Sequence, residues 1–547
     1  MPIALANIAV LVVLAGLSAC QCGRYSSDTE ETGPGHSAPI DSGDSFLGDT
    51  AHSGETGDTQ LPPMLELICN DDYLDPVALP EAMIDPDEPT QAYRVVQVES
   101  EHFDEAYLLV VFHTDPEERL YDAGAPVVVG AIPALLLQEE PVAQLLPGFG
   151  VIEIQPIFSG WSVDGVGTSG DPDAGGPADA DMLREAILFG AGRKTTIEGY
   201  TLGQVVEAPV CNDKVMVLGA SSGAIVAMMA LASMDEELAS ATMGFANHEA
   251  PLLPQLLLGD AGALWMDPQD PNNLRDQDGD GYTFDEGINP TYRPGDCQGT
   301  SCDLDYSALL WDPVMHSADI NTGRFEGSDY PGVLYLDLDG DGQVTHLDGS
   351  LDVNQNGWLD ADEDFMFMPH WDKLLPDGAH MYSPEVLGAA VTSGILREDN
   401  WPEHVASLAE TVEFWQVRNM MNYVEPLAAV APPWFRAAID YTEVDHGQAL
   451  PDRPHVMLFY DAFDAAGVPI RYNYSEAMMD CTVAPGLWKA AWTGQELPYN
   501  YDLQLSELDD HAMVEDVPNS IVRALPAVGL LWDMYGEFDR CPLIAED

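Results

Sequence analysis

From about residue 90 onward, short runs of apolar and β-branched residues alternate with longer stretches whose apolar positions recur every three or four residues. That alternation predicts βα units around a mainly parallel sheet. Tyr93–Glu99 and Glu105–Phe112 read as early strands, followed by Ala125–Gly130 and Gly150–Pro156. Asp181–Phe189 has helical spacing, and Lys214–Leu218, Ala224–Leu231 and Ala239–Ala246 follow as strand, helix and strand. The pattern breaks over about 260–365, where acidic, glycine-rich loops take over, and 383–424 turns helical with Trp401 and Trp415 at apolar positions. Trp434–Ile439, a helix over Pro454–Ala466 and Gly467–Tyr472 then resume the sheet, and a last helix covers about Asn519–Tyr535.

The amino terminus lies outside this pattern. Residues 3–19 are an apolar run too short to span a bilayer comfortably but suited to a secretory signal. Leu17-Ser-Ala-Cys20 resembles the lipobox of bacterial lipoproteins, which implies cleavage before Cys20 and lipidation of its thiol, although no Lys or Arg precedes the apolar run. Residues 20–62 are rich in Ser, Thr, Gly, Asp and Glu, a composition that buries too little apolar surface to fold and reads as a tether. The expected organisation is therefore a signal peptide over 1–19, a lipidated tether over 20–62, a first core segment over 63–260, an insertion over 261–424 and a second core segment over 425–547. Such a chain is exported and held at a bacterial outer membrane or cell surface without spanning it.

Charge narrows the partners. With 19 Lys and Arg against 93 Asp and Glu, the formal net charge is −74. A surface that negative repels phosphate backbones, so nucleic acid is excluded as a partner. The same carboxylates supply oxygen ligands for hard cations. Eight cysteines in an exported chain allow disulfides. Cys20 is assigned to the lipid and Cys22 to the tether; Cys297 with Cys302 and Cys481 with Cys541 are close in sequence, and elimination leaves Cys69 with Cys211. Spacing alone does not fix that connectivity.

Two acidic loops place oxygen-bearing residues at alternate positions around a turn glycine, the pattern of a calcium loop. Asp352, Asn354, Asn356, Trp358 through its carbonyl, Asp360 and Glu363 form one; Asp337, Asp339, Asp341, Gln343, Thr345 and Asp348 form the other, ending in a shorter carboxylate. A weaker third begins Asp276, Asp278, Asp280 and has Gly287 at its twelfth position. Only Gly349, Ser350 and Leu351 separate the two good loops, so paired flanking helices are excluded and the loops resemble extracellular bacterial calcium repeats. Calcium here is expected to be structural.

Gly219-Ala-Ser221-Ser-Gly223 sits between a predicted strand and a predicted helix. Strand, tight turn and helix around a central serine is the layout of a nucleophile elbow, in which small flanking residues let the turn close. Ser221 is therefore the candidate nucleophile. On these residues the chain resembles the α/β-hydrolase superfamily over roughly 90–260 and 425–547. The resemblance implies an acid after the seventh strand and a histidine after the eighth, which selects Asp445 and His511; Asp440 and Glu443 are neighbours that could replace the acid. It further implies oxyanion donors at the backbone N–H of Ser222 and at one near Ala131, although Gly130-Ala-Ile lacks the usual His-Gly pair. The expected activity is cleavage of a small-molecule or lipid ester through an acyl-enzyme, with peptidase activity not separated from it. The alternative is a calcium-stabilised surface binding protein on an inactive hydrolase scaffold.

Overall fold

The computed structural model describes residues 65–131 and 150–248 with short breaks, one of them 221–222. It also describes short strands within 297–367, then 381–440, 462–472 and positions between 527 and 535. Eight strands form the body of one sheet: β1 Gln91–Val98, β2 Ala106–His113, β3 Ala125–Ala131, β4 Ile152–Pro156, β5 Val210–Ala220, β6 Thr242–His248, β7 Arg436–Asp440 and β8 Ile470–Tyr472. Their order across the sheet is β8-β7-β6-β5-β3-β4-β2-β1. All neighbouring pairs are parallel except those of β2, which runs against both β1 and β4. Two-residue strands finish the sheet, Met83–Ile84 beyond β1 and Cys69–Asn70 against the start of β5.

The sequence explains which strands sit where. Ala-Pro-Val-Val-Val-Gly-Ala in β3 is buried at every position, as a central parallel strand covered on both faces requires. β1 alternates buried and half-buried residues, in keeping with its place near the edge. Helices α1 Pro177–Gly190, α2 Leu202–Val206, α3 Gly223–Ala232 and α4 Glu236–Ala241 lie between the strands in sequence. α1 starts on a proline, whose missing N–H costs nothing at a first turn. α3 is small and apolar all round, and it is enclosed because it packs between the sheet, α1 and a later helix. One apolar cluster fills this face, while the other face is closed by Ala527, Leu530, Leu531 and Met534. The result is the mainly parallel, helix-flanked sheet of an α/β-hydrolase fold.

Between β6 and β7 the chain builds a second body. Strands Leu309–His316, Pro331–Leu336 and Phe365–Met366 pair antiparallel and pack on α5 Pro384–Thr392 around Leu334, Leu336, Phe367 and Tyr382. α6 Leu408–Arg418 and α7 Met421–Val430 lead back to the sheet, and α7 is the helix that covers α3. Three details depart from the sequence-based reading. The strand expected at 239–246 is Thr242–His248, because Asp235 caps α4 through Leu238 N–H and holds 236–241 helical. The helical stretch over 383–424 is divided among α5, α6 and the start of α7. The small antiparallel sheet was not anticipated among the acidic loops. No helix among the described residues is long and apolar enough to cross a membrane.

A disulfide joins Cys69 to Cys211, whose Cα atoms lie directly opposite at 3.8 Å. Cys297 and Cys302 face each other in the register of a two-strand hairpin. Cys20, Cys481 and Cys541 lie outside the described residues.

Candidate active site

Parallel strands in one direction bring the ends of β3, β5, β6, β7 and β8 to a single edge, the edge at which open α/β sheets hold their ligands. β5 stops at Ala220 and α3 starts at Gly223, so two residues reverse the chain. The reversal is tight. A Cβ built on Gly219 would lie 2.5 Å from the Cα of Ala224 and 2.9 Å from its Cβ, so any larger residue would force helix and strand apart. That close approach is what the glycine in the elbow pattern provides.

The sheet register places other groups at this level. Gly219 is flanked by Ala131 at the end of β3 and by Asn247 on β6, which in turn is level with Ile439 on β7. The next rung carries Ala220, His248 and Asp440. Ala131, proposed beside the oxyanion, is thus the residue of β3 nearest the elbow, and Asp440, the alternative acid, ends β7 on the same edge. Ser221, Ser222, Asp445, Glu443 and His511 lie outside the described residues.

Several functional candidates escape sequence reasoning. Glu153 on β4 is buried, and burial raises its carboxyl to about 7 while the hydrogen bond from Gln155 opposes the shift. Gln155 Nε2 donates to its Oε1 at 2.8 Å, and Oε2 has no partner among the described residues. A Cβ on Gly130 would meet Glu153 Oε1 at 2.8 Å, so the glycine before Ala131 makes room for this carboxyl. The signal available was two polar residues at alternate places in an otherwise apolar buried strand, Ile-Glu-Ile-Gln-Pro.

A second group lies where the chain leaves β4. Asp173 Oδ2 accepts from Ala178 N–H at the start of α1. Its Oδ1 lies 3.3 Å from Nη2 of Arg418, which also donates to the Asp173 carbonyl. Asp179, fully buried one turn into α1, accepts from Gly175 N–H at 2.7 Å and is raised to about 7, chiefly by burial. Arg418, in turn, is lowered to about 10 by burial against the opposing pull of Asp173 and Asp179. Near them an open cleft of about 720 Å³ is lined by His102, Asp104, Ser159, Asp171 and Asp173. No sequence signal links Arg418 to Asp173 across 245 residues.

Of the loop 337–348, expected to bind calcium, residues 337, 340 and 342 are described. Asp337 Oδ2 accepts from Gly342 N–H at 3.1 Å, Gly342 has a φ of +73°, and Asp337 Oδ1 is shielded with no hydrogen-bond partner among the described residues. A carboxylate folded over its own turn with one oxygen unspent fits the first ligand position of such a loop. Asp339, Asp341, Gln343, Thr345 and Asp348, the whole of 352–363 and Asp276, Asp278 and Asp280 lie outside the described residues. Among the described residues no group of three His, Cys, Asp or Glu forms a metal cluster.

No protein-family model matches the chain, and no curated protein matches it. Solved structures do. A thermostable esterase from Pseudomonas putida ECU1011 matches at 10% identity over 72% of this chain and 74% of its own, with a TM-score of 0.32. One of two fungal esterases from Rhizomucor miehei matches at 10% over 79% and 85%, with a TM-score of 0.30. Prolyl oligopeptidase B from Galerina marginata matches at 15% over 32% of this chain, with a TM-score of 0.22. That match spans 22%, about a fifth, of the oligopeptidase.

Proposed function

We propose that the chain is a serine hydrolase of the cell surface that cleaves an ester or related acyl bond through an acyl-enzyme on Ser221. The observation that supports this most is the elbow: a strand ending at Ala220, a helix starting at Gly223 and the close approach of Ala224 to Gly219. A serine in such a turn is lifted clear of the sheet edge and is reachable by both a base and a substrate carbonyl. In this reading His511 takes the proton of Ser221 Oγ as the carbonyl is attacked, and Asp445 orients the imidazole and steadies its charge. The backbone N–H of Ser222 and one near Ala131 stabilise the oxyanion. The alcohol leaves with the proton held by His511, and water then cleaves the acyl-serine with the same base.

Calcium in the insertion supplies cross-links between acidic loops rather than a reacting group, and Asp337 with its loop partners would hold it. Export and a lipid on Cys20 place the enzyme at a bacterial surface, where a strongly acidic protein stays soluble. The substrate in this reading is a small-molecule or lipid ester. The test is a fluorophosphonate probe applied to purified protein in calcium buffer, with the modified residue mapped by mass spectrometry. Labelling at Ser221 that is lost in Ser221→Ala and His511→Ala is expected. Folded protein that takes up no label overturns the hydrolase and favours a surface binding protein.

A further inference from the structure

Arg418 brings the insertion to the start of α1. α6 buries three of its eleven residues, Thr411, Trp415 and Arg418, whose spacing puts them on one face of the helix. Trp415 joins Met381 and Ala406, which belong to the insertion, whereas Arg418 crosses to the core. Its guanidinium bonds the carbonyl and Oδ1 of Asp173, and Asp173 Oδ2 in turn accepts from Ala178 N–H. Asp179 is the next residue of α1, with Oδ2 on Gly175 N–H and Oδ1 without a hydrogen-bond partner among the described residues. Two carboxyls and one guanidinium thus share a place where the Arg418 side chain is 6% exposed and Asp179 is fully buried. Such a cluster is neutral only while it holds one proton.

The other charges on the surrounding described elements have partners or lie apart. His102, Asp104 and Asp171 line the cleft that Asp173 borders, with His102 Nδ1 3.4 Å from Asp181. On α1, Glu185 is held by Lys194 and Ser100, and Arg184 is paired with Asp235. Tyr423 on α7 donates its hydroxyl to the Val417 carbonyl, and burial raises that hydroxyl, which stays neutral. α3 carries no ionisable side chain, and Glu153 points to the opposite face of the sheet from Ile152 and Ile154, which meet α1. Burial is the largest influence on Asp179 and the attraction of Arg418 the smallest, so loss of the proton is not recovered by a tighter ion pair. The weaker side then gives way. α1 buries ten of its fourteen residues against the sheet and α3, whereas α6 buries three of eleven. We propose that Asp173, Asp179 and Arg418 form a proton-operated latch on the insertion: the protonated cluster holds α6 to the core, and its deprotonation releases α6 together with α7, the helix that covers α3. The latch is independent of the reaction the chain carries out.

Hydrogen–deuterium exchange by mass spectrometry on the full-length protein in calcium buffer reads the latch, with rates corrected for the intrinsic pH dependence of exchange. A proton that titrates at about 7 in the fold and near 3.8 once released stabilises the latched form below that range, and the stability is lost as pH rises through about 7. Protection of α6 and α7 is therefore expected to fall about tenfold between pH 6 and pH 8, while α1 and β3 keep theirs. Asp179→Asn still accepts from Gly175 N–H and is expected to hold α6 protection within about twofold across the same range. His102→Gln is expected to keep the wild-type fall. Wild-type α6 protection that is equal at the two pH values overturns the proposal. A fall that persists in Asp179→Asn also overturns it, and one abolished by His102→Gln does so by assigning the proton to the histidine. Equal loosening of α1, β3 and α6 overturns it as well, since the proton then governs the whole fold. The comparison of α6 with α1 in the wild-type protein decides the matter even if the asparagine variant does not fold.

Discussion

Glu153 carries its charge where the surroundings do not support it. An unfolded glutamate titrates near 4.5, and in the fold this one is raised to about 7 by burial. Because the folded value lies above the unfolded one, the stability it contributes is present below about 4.5 and is lost as pH rises through about 7. Asp179 behaves in the same sense, although it sits at a helix start where the dipole favours an anion. A dipole is worth roughly 0.3–1 kcal/mol and burial of a carboxylate several, so burial wins. Glu153→Gln keeps the shape and the contact with Gly130 while removing the charge. It should raise the unfolding free energy at pH 8 by up to about 3 kcal/mol and leave it almost unchanged at pH 4.5. Urea titrations at the two pH values check this, and equal effects at both would show that the fold leaves the carboxyl at its ordinary value. The strand end at Ala220 and the helix start at Gly223 were legible in the sequence because five adjacent residues carry the pattern. Glu153 was not, because burial across the sheet is what makes a polar side chain unusual, and burial is set by strands far apart in the chain.

Among the elements, α6 is tied to the core through Arg418. Its guanidinium lies 3.5 Å from the ring centroid of Phe414, donates to the Phe414 carbonyl and reaches Asp173 in the segment that caps α1. The same aspartate thus ends one helix and begins another. Arg418→Ala removes the partner of a mostly buried carboxylate and exposes the face of Phe414. Breaking a buried pair costs about 3–5 kcal/mol, and the partial exposure of Asp173 reduces that to about 2. A drop in melting temperature together with faster protease cleavage between α6 and α7 is the expected outcome, and an unchanged cleavage rate would show that α6 is held elsewhere. Strand β3 and the second half of β5 could be read from the sequence because each is a continuous apolar run. The start of β6 could not, since Ala-Ser-Ala-Thr suits a helix end and a strand equally and the Asp235 cap decides between them. Ser407 and Glu410 form a capping box at the start of α6, a local signal of the kind that makes helix boundaries readable.

At the scale of the whole molecule, a net charge of −74 presses outward on every acidic loop. Calcium bound only by the folded insertion would relieve part of that pressure and would stabilise by mass action, about 2.7 kcal/mol at a free concentration one hundred times the dissociation constant. Excess chelator should therefore lower the melting temperature in calorimetry, with the loss restored by calcium and not by an equal ionic strength of sodium. No change on chelation would leave the acidic loops as solvated surface. The mainly parallel character of the sheet followed from the βα rhythm of the sequence, whereas the small antiparallel sheet between β6 and β7 was hidden by the loops that separate its strands.

The bridge between Cys69 and Cys211 turns residues 69–211 into a closed ring. The ring takes in β1 to β4, α1 and α2, and it shuts ten residues before Ser221. A single cut in any loop of the ring opens it into a line but releases nothing, since both new ends stay fastened to the base of β5. The strand that leads to the elbow keeps its partner β3, which lies inside the ring, even after such a nick. Durability toward cleavage is thus built into the covalent topology of this half of the molecule, while the half beyond β6 has only its packing to rely on among the described residues.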